Sequence, residues 1–195
     1  MTGRKRVLVI NGHPDPASER LCSALAAAYL EGARAAGSET RRIDIGALSF
    51  PFLRTSEAFA QAPIHPDIRK AREDILWANH LVFVYPLWLG GPPALLKAFM
   101  EWVGCGEFLL GLGKGPLPKG KLAGRTARVV VTMGMPSLVD RLFFRAHGTL
   151  AFEKSILRMA GIRRVRTTYI GNVGVSAGGC RRWIARMGAF GAKIS

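Results

Sequence analysis

Short apolar runs alternate with stretches of helical periodicity along most of the chain. Arg6–Asn11 is a β-branched run and reads as a first strand. Ser18–Ala36 follows, with Leu21, Leu25, Ala28 and Tyr29 on one helical face; Ser18 is its expected N-cap and Gly37 its expected stop. Thr40–Ile45 reads as a second strand, and Ala47–His65 as an irregular stretch punctuated by Pro51 and Pro63. A helix is predicted over Pro66–Trp77, with Asp67 near its start. His80–Tyr85 has the continuous apolar pattern of a strand buried on both faces. Pro92 and Pro93 open a helix reaching about Val103. Gly104–Gly124 reads as a glycine-rich loop, Arg128–Thr132 as strand four, Phe143–Gly161 as a helix, Arg163–Ile170 as strand five and Gly179–Lys193 as the last helix. Strands alternating with helices predict an α/β fold with a parallel sheet covered on both faces. With 195 residues and no internal repeat or linker, residues 1–195 are expected to form a single domain.

Composition narrows this reading. Hydrophobic residues make up 49% of the chain, as in a globular domain. The longest apolar runs, such as Leu81–Tyr85, are far too short to cross a bilayer. Arg4, Lys5 and Arg6 are followed only by Val7–Ile10, so no export signal is read. Cys22, Cys105 and Cys180 form neither a CxxC pair nor a metal spacing, which suits a reducing, cytoplasmic setting. The net charge is +15, and the segment Lys154–Ser195 holds nine basic residues and no acid. Such a field attracts anions, whether phosphorylated cofactors, nucleic acid or acidic lipid. Its simplest reading is a solvated surface, and a nucleic-acid role is not expected.

In an open parallel sheet, ligands bind beyond the carboxyl ends of the strands, where strand order switches. The loops after strands 1, 3 and 4 therefore hold the candidate chemistry. Loop 1, Asn11–Ser18, lacks GxGxxG, which disfavours a dinucleotide-binding Rossmann turn. It runs into a helix start, whose unpaired N–H groups suit a phosphate, with Ser18, His13 and Arg20 as further donors or charges. A plain helix cap at Ser18 is the rival reading. Loop 3, Tyr85–Lys97, leaves a buried strand through Pro86, Leu87, Trp88 and Leu89 to two glycines and two prolines. A flat ring could stack there, although Trp88 could equally be core. Loop 4 carries Thr132, Met133 and Gly134, with glycine where a backbone passes close to a ligand or simply turns.

Other motifs are decoys. Gly115–Leu122 approaches a P-loop but has Leu122 where a hydroxyl is required, and Gly111–Gly115 reads as a flexible loop. The four histidines show no metal-binding spacing, and Ser18, Ser49, Ser137 and Ser176 sit in no GxSxG elbow.

Taken in order, "GHPDPxS", "YPLWxGGPPALLKAF" and "VTMGMPSLV…AHG…ILxxAGI" run over most of residues 6–170. The chain thereby resembles the flavodoxin-like NAD(P)H:quinone oxidoreductases, including general-stress and potassium-efflux-associated members. The resemblance implies a flavodoxin-like three-layer sandwich with a five-stranded parallel sheet in the order 2-1-3-4-5. It implies bound FMN or FAD, NAD(P)H as electron donor, quinones or similar aromatic acceptors, and a homodimer. His13, Ser18, Arg20 and Leu21 match its phosphate-side positions. Pro86, Leu87, Trp88 and Leu89 match its flavin-ring loop, and Thr132, Met133 and Gly134 the ring's other edge; backbone donors of these two loops would face the ring. His147 matches a histidine that passes a proton or hydrogen bond to the acceptor or a flavin oxygen; a buried histidine hydrogen-bonded at a helix start is the rival reading. The chain departs from the pattern where a tyrosine commonly precedes Ala-His-Gly; Asp140 and Arg141 stand there instead. The efflux-associated members suggest an alternative role, a regulatory flavoprotein docking on a membrane transporter. For an interface the sequence offers Trp102, Phe108, Phe143 and Phe144, all of which could instead be core.

Overall fold

A computed structural model describes residues 4–61, 63–106, 108–111, 119–175 and 177–194. The readings placed on Gly111–Gly115, on most of Gly115–Leu122 and on Ser176 fall largely outside these residues. Five strands form one parallel sheet: β1 Arg6–Asn11, β2 Glu39–Asp44, β3 His80–Pro86, β4 Thr126–Thr132 and β5 Arg164–Ile170, in the order β2-β1-β3-β4-β5. The three central strands are apolar and buried almost throughout. The edge strands alternate, so Arg41 of β2 and Arg164 and Arg166 of β5 can stay wet.

The period of two along each strand sorts residues between two cores. Leu8, Ile10, Leu81, Phe83, Tyr85, Val129 and Val131 point to one face, against helices α3 (Pro66–Trp77) and α4 (Ala94–Gly104) and a π-helical turn, Phe152–Arg158. Val7, Val9, Val82, Val84 and Val130 point to the other, against α1 (Leu21–Ala35) and α7 (Ala177–Lys193). These two helices approach closely where both lack side chains: a Cβ on Gly32 would stand 2.0 Å from the Gly188 carbonyl oxygen.

Several predicted boundaries change. The helix after loop 1 begins at Leu21, with Arg20 and not Ser18 at its N-cap. The residues before it instead form a turn, closed by Arg20 N–H donating to the Ala17 carbonyl at 3.3 Å. The irregular stretch contains a 3-10 turn, Ile45–Ala47, and a short helix α2, Ser56–Gln61. Pro92 and Pro93 precede α4, which starts at Ala94. The glycine-rich loop contains a small antiparallel ladder, Leu110–Gly111 with Lys119–Gly120.

The helix expected over Phe143–Gly161 does not run through. Helix α5 (Ser137–Leu142) ends, and Arg145 and Ala146 both take positive φ (+52° and +49°). Two such residues together reverse the chain, because no right-handed helix accommodates them. Helix α6 (His147–Ala151) then starts and continues into the π-helical turn. Trp102 belongs to the core, Phe108 packs against that core, and Phe143 and Phe144 are exposed.

Candidate functional site

All five strands run the same way, so loops 1, 3 and 4 emerge at one end of the sheet. Between β1 and β3 the connections diverge to opposite faces, α1 to one and α4 to the other. This is the switch point at which α/β sheets open a crevice.

Loop 1 is held by its own polar side chains. Buried Asn11 donates to Asp44 at 2.8 Å and accepts from the His13 N–H at 3.3 Å. Asp15 accepts from the Ala17 N–H at 2.9 Å, and its other oxygen receives Arg20 at 2.6–2.7 Å. The Ala17 N–H, then Arg20, hold the Asp15 carboxyl below the ordinary carboxylate range. Arg20, expected to add charge to the loop, is therefore already paired with Asp15. Ser18 is exposed and, among the described residues, donates only to Glu19, at 3.4 Å. Gly12 passes so close to α4 and β3 that a Cβ would stand 2.7 Å from Leu96 and 3.0 Å from Tyr85. The first turn of α1 carries no acidic residue and no side-chain cap. Its N–H groups and its positive dipole end are thus left to an anion.

Loop 3 leaves β3 with Leu87 N–H donating to the Thr132 carbonyl at 2.8 Å, which ties it to loop 4. Trp88 and Gly91 then exchange two backbone hydrogen bonds, at 2.9 and 3.0 Å. Between them Leu89 (φ +47°) and Gly90 (φ +80°) make a two-residue turn with both φ positive. The turn projects Leu89 fully into solvent and leaves Trp88 51% exposed. Trp88 is therefore not core, and its ring meets His13 edge-on at 6.1 Å, joining loop 3 to loop 1.

In loop 4 the side chains of Thr132 and Met133 are buried, and Thr132 Oγ1 lies 3.4 Å from Cys22 Sγ. Only the backbone of these two residues can face a ligand, and Met133 N–H is spent on the Ile170 carbonyl at 2.9 Å. Gly134 is exposed, with open space where a Cβ would lie. The backbone donors expected to face a ring are thus partly consumed: those of Leu87, Trp88, Gly91 and Met133 all have protein acceptors.

His147 is exposed at the first position of α6. Its neighbour Gly148 touches the loop 3 turn; a Cβ there would stand 1.9 Å from the Gly90 carbonyl oxygen. The α5–α6 segment therefore forms a fourth wall. Beside it lies an apolar cavity of about 290 Å³ lined by Pro92, Lys97, Gly148, Phe152 and Ile156. Asp140, in the place of the expected tyrosine, points inward and is 2% exposed.

The structure brings together His13, Trp88, Leu87, Thr132 and the backbone just after His147, and sets Ser18 and Arg20 on the outer rim. Sequence reasoning missed Asn11, Asp15, Gly148 and Tyr85. Asn11 had a legible signal, a polar residue closing an otherwise apolar strand; Gly148 had none, because its neighbour Gly90 lies far away in sequence.

A profile of the family described as having a flavodoxin-like fold matches residues 5–180. The chain is 32% identical over 100 residues to a ribosyldihydronicotinamide dehydrogenase [quinone] of Pongo abelii, covering 49% of this chain and 43% of that protein. It spans about half the length of the curated relatives it matches. Among solved structures it is similar to an NAD(P)H:quinone oxidoreductase from Methanothermobacter marburgensis, with a TM-score of 0.79 and 19% identity over 99% of this chain and 100% of that one. An FMN-dependent NADH-azoreductase from Bacillus anthracis, in complex with FMN, superposes with a TM-score of 0.74 at 16% identity, over 97% of this chain and 99% of that one.

Proposed function

The chain belongs to this flavodoxin-like family, and from that premise we propose that it is a flavin-dependent NAD(P)H oxidoreductase acting on quinones or similar aromatic acceptors. The observation that carries the reading is the convergence of loops 1, 3 and 4 around an exposed Trp88, beside a helix N-terminus without acid or side-chain cap. The names of the similar quinone oxidoreductase and FMN-dependent azoreductase support it, and make FMN the first flavin to test.

The residues present fit such a group. The N-terminal turn of α1 beginning at Leu21, with His13 and Ser18 beside it, would hold the phosphate. Arg20, fixed by Asp15, would shape the rim rather than supply a free charge. Pro86, Leu87, Trp88 and Leu89 would flank the ring on one side. On the other, Thr132, Met133 and Gly134 would line its edge with backbone. Leu89, Gly90 and Gly134 are the turn positions left to offer N–H groups to that edge. When bound, the flavin supplies the two-electron chemistry that links NAD(P)H to an aromatic acceptor.

The protein's part is to bind, orient and move a proton. His147, exposed beside the loop 3 turn, would donate a proton or hydrogen bond to the acceptor. Asp140 cannot share this task from its buried position, so His147 acts without the tyrosine partner that similar sequences carry. Leu89, Leu138, Leu142, Phe143 and Phe144 are exposed around the site; a second copy of the chain would cover them.

The test is direct. The full chain is purified, heat-denatured, and the released cofactor identified by mass and spectrum. A flavin that bleaches with NAD(P)H and recovers with a quinone is expected. No flavin, even after incubation with FMN and FAD, would overturn the proposal. With flavin occupancy held full, a His147→Ala variant with unchanged quinone turnover would remove His147 from proton transfer. Sedimentation of the full chain as a monomer would remove the dimer.

A further inference from the structure

Helices α4 and α6 both begin at the site end of the sheet. The first follows loop 3, and Gly148 at the start of the second touches the loop 3 turn. From there α4 and the segment formed by α6 and the π-helical turn run the same way along one face of the sheet. They leave a trough between them. Its upper part is the cavity of about 290 Å³ beside Gly148. A second cavity, of about 410 Å³, continues it. The two share Lys97, Ser155 and Ile156, so they form one trough and not two sites. It follows α4 from Ala94 to Gly104, which at about 1.5 Å per residue makes it about 15 Å long.

One wall is a single face of α4, with Lys97, Glu101 and Gly104 at helical spacing. The other carries Gly148, Phe152, Ile156 and Met159. Buried Met100 and Phe152 make the floor. Over Phe152–Arg158 the second wall is π-helical, a rare form that recurs at functional sites. At the far end Phe59 of α2 and Met159 are 48% and 47% exposed, so the apolar lining continues to an open lower mouth.

Charge decides what the trough can take. The chain carries a net +15, yet Lys97 is paired with Glu101 at the rim. The aliphatic stem of Lys97 is left to line the trough. Ser155 is the one other polar side chain of the lining among the described residues. Such a lining holds no anion and few hydrogen bonds; it suits an uncharged apolar chain. None of Leu89, Leu138, Leu142, Phe143 and Phe144, the side chains left for a second copy, lines it.

We propose that the trough binds an apolar chain carried by the aromatic acceptor, so that the substrate class is a quinone with an alkyl or isoprenoid tail and not a bare ring. The upper mouth lies at Gly148, next to His147, where that residue would meet the acceptor. The tail then runs between α4 and the π-helical turn toward Met159. This rests on the acceptor reading of the site. Each methylene fully buried there tightens binding by up to about fourfold.

The probes are a dimethoxy-methyl-benzoquinone with and without a decyl chain. Their affinities are measured by calorimetry on the full chain as purified, and again after FMN is added. The decyl compound should bind about tenfold or more tighter in both states. Affinity should rise from butyl to decyl and level off once the tail fills the trough. Ser155→Trp places a large ring where the two cavities join, at an exposed position, and should bring the decyl compound to within about twofold of the bare ring. Equal affinity of the two probes for the native chain, or an undiminished decyl advantage in Ser155→Trp, overturns the proposal. If that variant does not fold, a decyl quinone with a photoreactive diazirine at the end of its tail decides on the native chain. It should label peptides holding residues 97–104 or 152–159. Labelling confined to residues 137–144, or to no trough peptide because a second copy covers it, also overturns the proposal. A tail-dependent site in a chain that takes up no flavin sinks the flavin reading alone. Equal affinities in a chain that takes up FMN sink this proposal alone.

Discussion

His80 opens β3 at the end of the sheet opposite the candidate site. It is 3% exposed, with Nε2 2.9 Å from the Tyr29 hydroxyl and Nδ1 2.7 Å from the Thr126 hydroxyl. Burial, then the cations Arg128, Lys5 and Arg166, push its pKa down to about 4. The unfolded chain holds an ordinary imidazole near 6.5. As pH falls below that value, the unfolded chain takes up a proton that the fold refuses. The stabilisation is thus complete above about pH 6.5 and lost progressively down to the folded value. Full loss amounts to about 3 kcal/mol, of which about 2 kcal/mol is gone by about pH 5. For a chain of this size that corresponds to a fall in Tm of about 4–8 °C. Surface carboxylates also begin to titrate there, so the informative quantity is a difference between proteins. Thermal unfolding of the native chain and of His80→Gln, followed by circular dichroism at about pH 7.5 and about pH 5, measures it. The variant should be less stable at neutral pH but lose much less on acidification. Equal losses in the two proteins would refute a neutral, buried His80.

Gly148→Ala places a Cβ against the Gly90 carbonyl. It should cost about 1–3 kcal/mol in a thermal melt and weaken FMN binding by displacing the loop 3 turn; unchanged affinity would show that α6 does not brace the turn. Trp88→Ala should weaken FMN binding about two- to tenfold in a fluorescence titration, as expected for one lost aromatic contact, with little change in Tm because the ring is half-exposed. Burial pushes the Cys22 thiol up to about 11, and Cys105 is also buried, whereas Cys180 is half-buried. An aromatic disulfide reagent at about pH 8 should therefore titrate Cys180 first in the native protein; rapid reaction of Cys22 would contradict the packing of α1 on β4.

Asp15 and Arg20 show how far local reading carries into the site. The residue types of loop 1 were legible, and so was its place before a helix. Their pairing was not, because a carboxylate that accepts both Arg20 and a backbone N–H is a property of the folded turn. The same holds for Ser18, whose type suits an N-cap but which lies two residues too early, so that Arg20 takes the cap position.

The strands and their parallel arrangement followed from the chain alone, because apolar periodicity and proline and glycine punctuation are local properties. The two cores were implicit in the same alternation, since neighbouring residues of a strand must face opposite ways. Tertiary structure decided what periodicity cannot encode. It broke the predicted helix at Arg145 and Ala146, which take positive φ, and set Gly148 just beyond the break against Gly90. It turned Trp88 outward toward His13 and folded the side chains of Thr132, Met133 and Asp140 inward. Each of these outcomes depends on partners distant in sequence, and such contacts exist only once the sheet has set the loops side by side.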